Sequence, residues 1–263
     1  VSTKSVPTVT LDQLDREYVP VVKQDVVRSG RIYGLPMSMD TMAIYYNKDL
    51  LDRAGIAEPP KTWEEFQEAV RKLTKFDRAS GKIVQSGAAL GAAGNVPWND
   101  DLLYALFKQS NISFVDRSGR AVFNAVPQNT GSETLAMQVT SFYTDFADPT
   151  RDTYSWNEEM PNALDSFVTG KVAFFFGYQF HNQTIKARAP QLNYAVIPLL
   201  QLEPDAQANV ANYSILTVPT KSKQANEAWA LVTYLTHSPA TKEYLDKTGR
   251  LTALRAYINA QKE

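Results

Sequence analysis

GRIYGLPMSMDTMAIYYNKDLLDRAGI, residues 30–56, begins as an alternating apolar run suited to a strand and ends as a short helix closed by glycine. The polar pair Asp40-Thr41 stands between its two apolar stretches. Immediately downstream, TWEEFQEAVRKLTKF (62–76) opens with Thr62 and carries Glu65 three places on. That spacing is a capping box, in which each side chain satisfies a backbone N–H left orphaned at the helix start. Trp63, Phe66, Val70 and Leu73 then share one face, and Pro59-Pro60 keeps the residues before the helix extended.

The same alternation of strand and helix continues along the chain. A helix is expected over about 131–147, with Leu135, Val139, Phe142 and Phe146 on its packing face, and a shorter one over 161–169. KVAFFFGY (171–178) and LNYAVIPL (192–199) read as buried strands, with a helical turn in QFHNQTIKARAP between them. ANYSILTVP (211–219) is a further strand, followed by a helix over about 226–236 and another that starts at Ser238-Pro239 and ends at Gly249. The pattern is that of an α/β protein with largely parallel sheets.

Composition narrows the chemistry. The chain has 263 residues, 44% of them hydrophobic, and 27 basic against 28 acidic side chains, a formal net charge of −1. No overall field draws it to nucleic acid or an anionic membrane, and small neutral partners suit it best. Without cysteine there is no disulfide, thiolate nucleophile or thiolate metal site, and with only His181 and His237 there is no histidine-rich zinc site. No cofactor is expected. No G-x-S-x-G elbow, P-loop or G-x-G-x-x-G occurs, and the glycines at 87, 91 and 94 are too widely spaced to cradle phosphate. Paired carboxylates at Asp100-Asp101 or Glu158-Glu159 leave a glycosidase open, since that chemistry needs only two suitably separated acids.

The four tryptophans divide by context. Trp63 and Trp229 lie in amphipathic helices and are expected in the core. Trp98, in GNVPWNDD, and Trp156, in TYSWNEE, lie in polar, loop-like segments. A ring flanked by amides and carboxylates packs on the C–H face of a sugar while its neighbours pair with hydroxyls, or else it caps the edge of the core. FGYQFHN (176–182) repeats the pattern, with Tyr178, Gln179 and Asn182 following a strand where ligands of α/β sheets usually bind.

IYGLPMSMDTMAIYYNKDLLDRAGIAEPPKTWEEF, DSFVTGKVAFFFGY, NYAVIPL, VANYSILTVPTKSK and TGRLTALR follow one another in this order. The ordered set resembles the extracellular, family 1 solute-binding proteins of ABC transporters, in the group that includes maltose-binding protein. The resemblance implies a two-lobed type II periplasmic-binding-protein fold whose hinge-connected lobes close on a ligand. It places lobe 1 at 1–43 and 196–236 and lobe 2 at 44–195 and 237–263. Family members carry a long segment ahead of VPTVTLDQL, so lobe 1 is expected to be incomplete here and to expose apolar surface.

Carried over by resemblance, Asp40 and Thr41 line the cleft, or Asp40 is a turn carboxylate paired with backbone amides. Trp98, Asn99 and Asp101 match a cleft loop, and Gly177, Tyr178 and Gln179 match the segment after its strand. Tyr213 and Ser214 match a strand end facing the ligand, Ser214 replacing a tryptophan common in relatives, and Trp156 joins the set from its own context. Arg250 and Arg255 are either cleft residues or surface charges. The implied function is a monomeric, non-enzymatic receptor that captures a mono- or oligosaccharide outside the cytoplasmic membrane, in the periplasm or as a cell-surface lipoprotein, and presents it to a permease. The alternatives are a carbohydrate-active hydrolase and a lobe kept for protein docking.

Overall fold

The computed structural model describes residues 9–124, 134–203, 205 and 207–260. They form two units, one from the residues up to Thr41 together with those from Ala211 onward, the other spanning Met42–Val210. The first unit begins with α1 (Leu11–Glu17), α2 (Pro20–Val26), β1 (Val27–Arg28), β2 (Arg31–Ile32), β3 (Leu35–Pro36) and β4 (Asp40–Thr41). The second contains β5 (Ala43–Asn47), α3 (Lys48–Arg53), α4 (Trp63–Leu73), β6 (Lys75–Phe76), β7 (Ile83–Ala88), α5 (Asn99–Gln109), α6 (Leu135–Thr144), α7 (Ala163–Val168), β8 (Val172–Gly177), α8 (Phe180–Arg188) and β9 (Tyr194–Pro198). The chain then completes the first unit with β10 (Ala211–Asn212), β11 (Ile215–Leu216), α9 (Ala225–His237), α10 (Pro239–Thr248) and α11 (Arg255–Ala260).

The second unit is built on a five-stranded sheet of order β6-β7-β8-β5-β9. Every residue of β8, VAFFFG, is buried. Phe174 and Phe176 face a core with Ile44, Trp63, Phe66 and Val70, while Phe175 and Val172 face another with Tyr45, Trp156 and Phe167. Helices thus cover both faces of the strand, which is why its sequence runs apolar without alternation. The sheet is mixed and not largely parallel: only β7 and β8 pair in parallel, and β5 lies antiparallel to both β8 and β9. β7, β8 and β9 share one direction; β5, inserted between the last two, breaks the parallel run.

Local signals hold with adjustments. Thr62 accepts from the Glu65 amide at 3.2 Å, but Glu65 reaches back to the Lys61 amide, at 2.7 Å, in place of the Thr62 N–H that a capping box uses. The helix expected at 131–147 runs as α6 and then tightens to a 3-10 turn at Asp145–Ala147; residues 131–133 lie outside the described residues. Leu135 is exposed and does not pack, the buried face being Ala136, Val139, Tyr143 and, in the turn, Phe146. The strand expected over 211–219 is only the two short pieces β10 and β11.

β10 pairs with β4 and β11 with β3 in the first unit, both antiparallel. Besides Met42 and Ala43, which fall in the second unit, two longer segments fall differently from the expected lobes. Residues 196–210 belong to the second unit, because β9 is laddered to β5 and Leu199 and Leu200 lie in its core. Residues 237–260 belong to the first, where Ala253 and Leu254 pack with Leu14, Tyr18 and Val22 and the Val19 amide donates to the Ala253 carbonyl. The first unit also exposes Tyr33, Ile215 and, on α9, Leu231 and Tyr234.

Gly87, in β7, lies so close to α4 that a Cβ there would stand 2.5 Å from the Val70 carbonyl oxygen and 2.8 Å from its Cα. Gly87→Ala is therefore expected to destabilise the chain by ~1–3 kcal/mol, read as a lower urea midpoint. In the first unit, the half-buried His237 ring meets Tyr18 edge-on at 5.2 Å. Burial holds its pKa below the ordinary 6.5, against the opposing pull of Glu17. The unfolded chain thus takes up this proton more readily than the folded one, so stability is full above 6.5 and falls as the pH drops below it. Urea midpoints measured through this window should decline in the parent and less steeply in His237→Gln.

Candidate ligand-binding face

In the second unit β8 ends at Gly177, and the chain turns through Tyr178 and Gln179 into α8. Tyr178 is wholly buried and held at three points. Its hydroxyl donates to Asp101 Oδ2 at 2.6 Å, its amide to His181 Nδ1 at 2.9 Å, and its carbonyl accepts from the Tyr45 hydroxyl at 2.8 Å. Beside it, Trp98 meets the Tyr178 ring edge-on at 5.4 Å and the Phe180 ring at 6.0 Å, while Phe180 stacks on Tyr178 at 5.8 Å. Trp98 is 36% and Phe180 42% exposed, so these two rings offer apolar surface to solvent while Tyr178 supports them.

Trp98 is also the N-cap of α5, with φ 61° and ψ 25°. The left-handed region is costly for a bulky side chain, and such strain persists only where the surroundings enforce it. Asn99, the first residue of the helix, donates from Nδ2 to the carbonyls of Ala93 and Val96 at 3.1 and 2.9 Å and so braces the loop. Asp100 and Asp101 sit in the first turn, where carboxylates favour the helix N-terminus. Trp98, Asn99, Asp101, Gly177, Tyr178 and Gln179 are thus brought together, with Gly177 buried and Gln179 half-buried.

Trp156 is not on this face. It is 0% exposed, its ring packed with Ala89, Ala92, Val96 and Phe167 and its indole N–H donating to Asn95 Oδ1 at 2.8 Å. A ring with no accessible surface offers no platform to a sugar; the polar letters around it conceal a core side chain. Asn182 accepts the Tyr194 hydroxyl. Phe180 escapes the sequence reading because it looks like part of a helical turn; the signal available is a second aromatic two places after Tyr178, at the mouth of a strand.

In the first unit, the ladder sets Asp40 opposite Asn212 and Thr41 opposite Ala211, with Tyr213 and Ser214 next in the chain. Asp40 Oδ1 accepts the Thr41 amide at 2.8 Å. The Tyr213 hydroxyl donates to Asp25, and burial first, then that carboxylate, push its pKa up. Ser214 is exposed. Arg250 is exposed beyond α10, its amide closing the helix on the Leu245 carbonyl, whereas Arg255 Nε donates to the Tyr18 carbonyl at 2.7 Å, joining the chain end to α1. Among the described residues no group of three or more His, Cys, Asp or Glu is placed to hold a metal ion, and no helix is long and apolar enough to cross a membrane.

The sequence pattern of bacterial extracellular solute-binding proteins matches residues 5–242. The chain belongs to that family. A binding protein of Brucella abortus is 24% identical over 229 residues, 85% of this chain and 51% of that protein. An ABC transporter-binding protein of Deinococcus radiodurans is 26% identical over 243 residues, 91% of this chain and 54% of that one. The chain thus spans about half the length of the curated relatives it matches. Among solved structures, the mannobiose-bound form of CpMnBP1 aligns with a TM-score of 0.68 at 22% identity, over 95% of this chain and 62% of that one. UgpB of Mycobacterium tuberculosis in complex with glycerophosphocholine aligns with a TM-score of 0.70 at 20% identity, over 96% and 61%. The fold is therefore that of the two-lobed type II periplasmic binding proteins.

Tyr178→Phe removes the hydroxyl from Asp101 while keeping the ring contacts. A loss of about 1 kcal/mol in unfolding free energy is expected, with Trp98 fluorescence still that of an exposed ring.

Proposed function

We propose that this solute-binding chain captures a mono- or oligosaccharide on the Trp98–Phe180 face, without transforming it, and delivers it to an ABC importer permease outside the cytoplasmic membrane. The observation that carries the reading is the pair of exposed rings held edge-to-face beside Asp101, Gln179 and the N-terminus of α5. Pyranose C–H faces pack on such rings, and hydroxyls pair with the surrounding polar groups. The mannobiose-bound neighbour and the transporter-associated relative support it.

A second reading rests on the glycerophosphocholine-bound neighbour. Two converging aromatic rings also suit a quaternary ammonium group, which is attracted by the ring faces. Calorimetric titration with mannobiose, maltose and glycerophosphocholine distinguishes the two. Trp98→Ala and Phe180→Ala are each expected to weaken the bound member by ~1–3 kcal/mol. Heat from glycerophosphocholine alone would select the second reading. No heat from any of the three would overturn both, and turnover of a chromogenic glycoside abolished by Asp101→Asn would replace them with a hydrolase.

A further inference from the structure

The loop that carries Trp98 is anchored on one side by Asn99 and on the other by residues 143–147 and the segment around Trp156. At its start, Gly91 presses on the Ala147 backbone, where a Cβ would meet the amide nitrogen at 2.6 Å, and the Ala92 carbonyl accepts the Tyr143 hydroxyl at 2.8 Å. The amides of Ala93 and Gly94 both donate to Glu158 Oε1, at 3.2 and 3.3 Å. Asn95 is the centre of the arrangement. Its Nδ2 donates to the carbonyls of Asn157 and Met160 at 2.9 and 2.8 Å, its Oδ1 accepts the Trp156 indole N–H, and its own carbonyl accepts the Ala163 amide at 2.9 Å.

Both donors of the Asn95 amide and one acceptor site are thus committed, three residues before a tryptophan in the left-handed region. A strained conformation of this kind survives only where its flanks leave it no alternative. The helix α5 fixes the flank after Trp98 and, through Asn99, part of the flank before it; Asn95 ties that earlier flank to the segment around Trp156. Around the half-buried Asn95 these bonds form one connected network, and the loss of a single member relaxes the geometry the others hold.

We infer that Trp156 is a positioning residue for solute capture: through its N–H bond to Asn95 it holds residues 91–98 in the conformation that leaves the Trp98 ring on the exposed face. It acts without touching the solute. The inference rests on the reading that this face takes the solute, but its first consequence does not depend on any ligand.

The test uses the full chain and Trp156→Phe, which keeps an apolar ring and removes the N–H, with Glu158→Gln as an exposed second variant that weakens the same anchor without disturbing the core. The Trp98 indole N–H resonance, assigned by its loss in Trp98→Phe, is expected to shift and broaden or double in Trp156→Phe, and in the same direction but less in Glu158→Gln. Mannobiose affinity is expected to fall about tenfold in Trp156→Phe and to show no further fall when that change is added to Trp98→Ala. An unchanged Trp98 resonance in both variants overturns the inference, whatever binds. A shifted resonance with independent, additive losses of affinity overturns the link to capture. If the parent chain binds no mannobiose, the proposed sugar reading fails and the resonance alone decides the positioning role.

Discussion

Strand β8 has no side turned to water, and the second unit is arranged around that fact. Six consecutive buried residues require a cover on each face, so one set of aromatic side chains enters the core with Trp63 and Phe66 and the other the core with Tyr45 and Trp156. Neighbours on both edges, β7 and β5, satisfy the backbone groups that burial would otherwise leave unpaired. The strand is therefore rigid up to its last residue. The turn from Tyr178 to Phe180 inherits a fixed starting point at the end of a central strand, where open α/β sheets place their ligands.

On that base the proposed binding face is assembled from groups committed to one another. Tyr178 is held on every side: ring, hydroxyl, amide and carbonyl each have a protein partner. Asp101 accepts from that hydroxyl and Glu158 from two backbone amides, so one acid of each adjacent pair is an acceptor for protein donors. The apolar surface left in the open is the pair Trp98 and Phe180, whose positions are set by the buried groups behind them. Preorganisation of this sort lets a receptor bind a weakly adhesive, hydrated solute, because little ordering remains to be done when it arrives.

The left-handed conformation of Trp98 belongs to the same account. A glycine would adopt it without strain, but a glycine has no ring to present. The chain retains the tryptophan and offsets the conformational cost with a dense set of hydrogen bonds: Asn95 donates out of the loop to the Asn157 and Met160 carbonyls, Asn99 donates to the Val96 carbonyl within it, and Glu158 accepts from its amides. Stability in this loop is thus directed to the orientation of one side chain.

The sequence by itself determined the elements: the helix start at Thr62, the buried strand VAFFFG, the proline start of α10 and its glycine stop all follow from local sterics, capping and periodicity, which act over a few residues. Context alone marked Trp98 as a ring among polar neighbours and Tyr178 as following a buried strand; the resemblance to the family joined them with Asp101 in one candidate set. Only the tertiary structure decided that β5 enters between β8 and β9, that the last helices return to the first unit, and that Trp156 is a core ring while Phe180 is an exposed one. Each of these depends on contacts between residues distant in the chain, and burial is a property of what lies on the other side. The letters flanking Trp156 are polar, but its indole faces Asn95, 61 residues away, and no local pattern records that meeting.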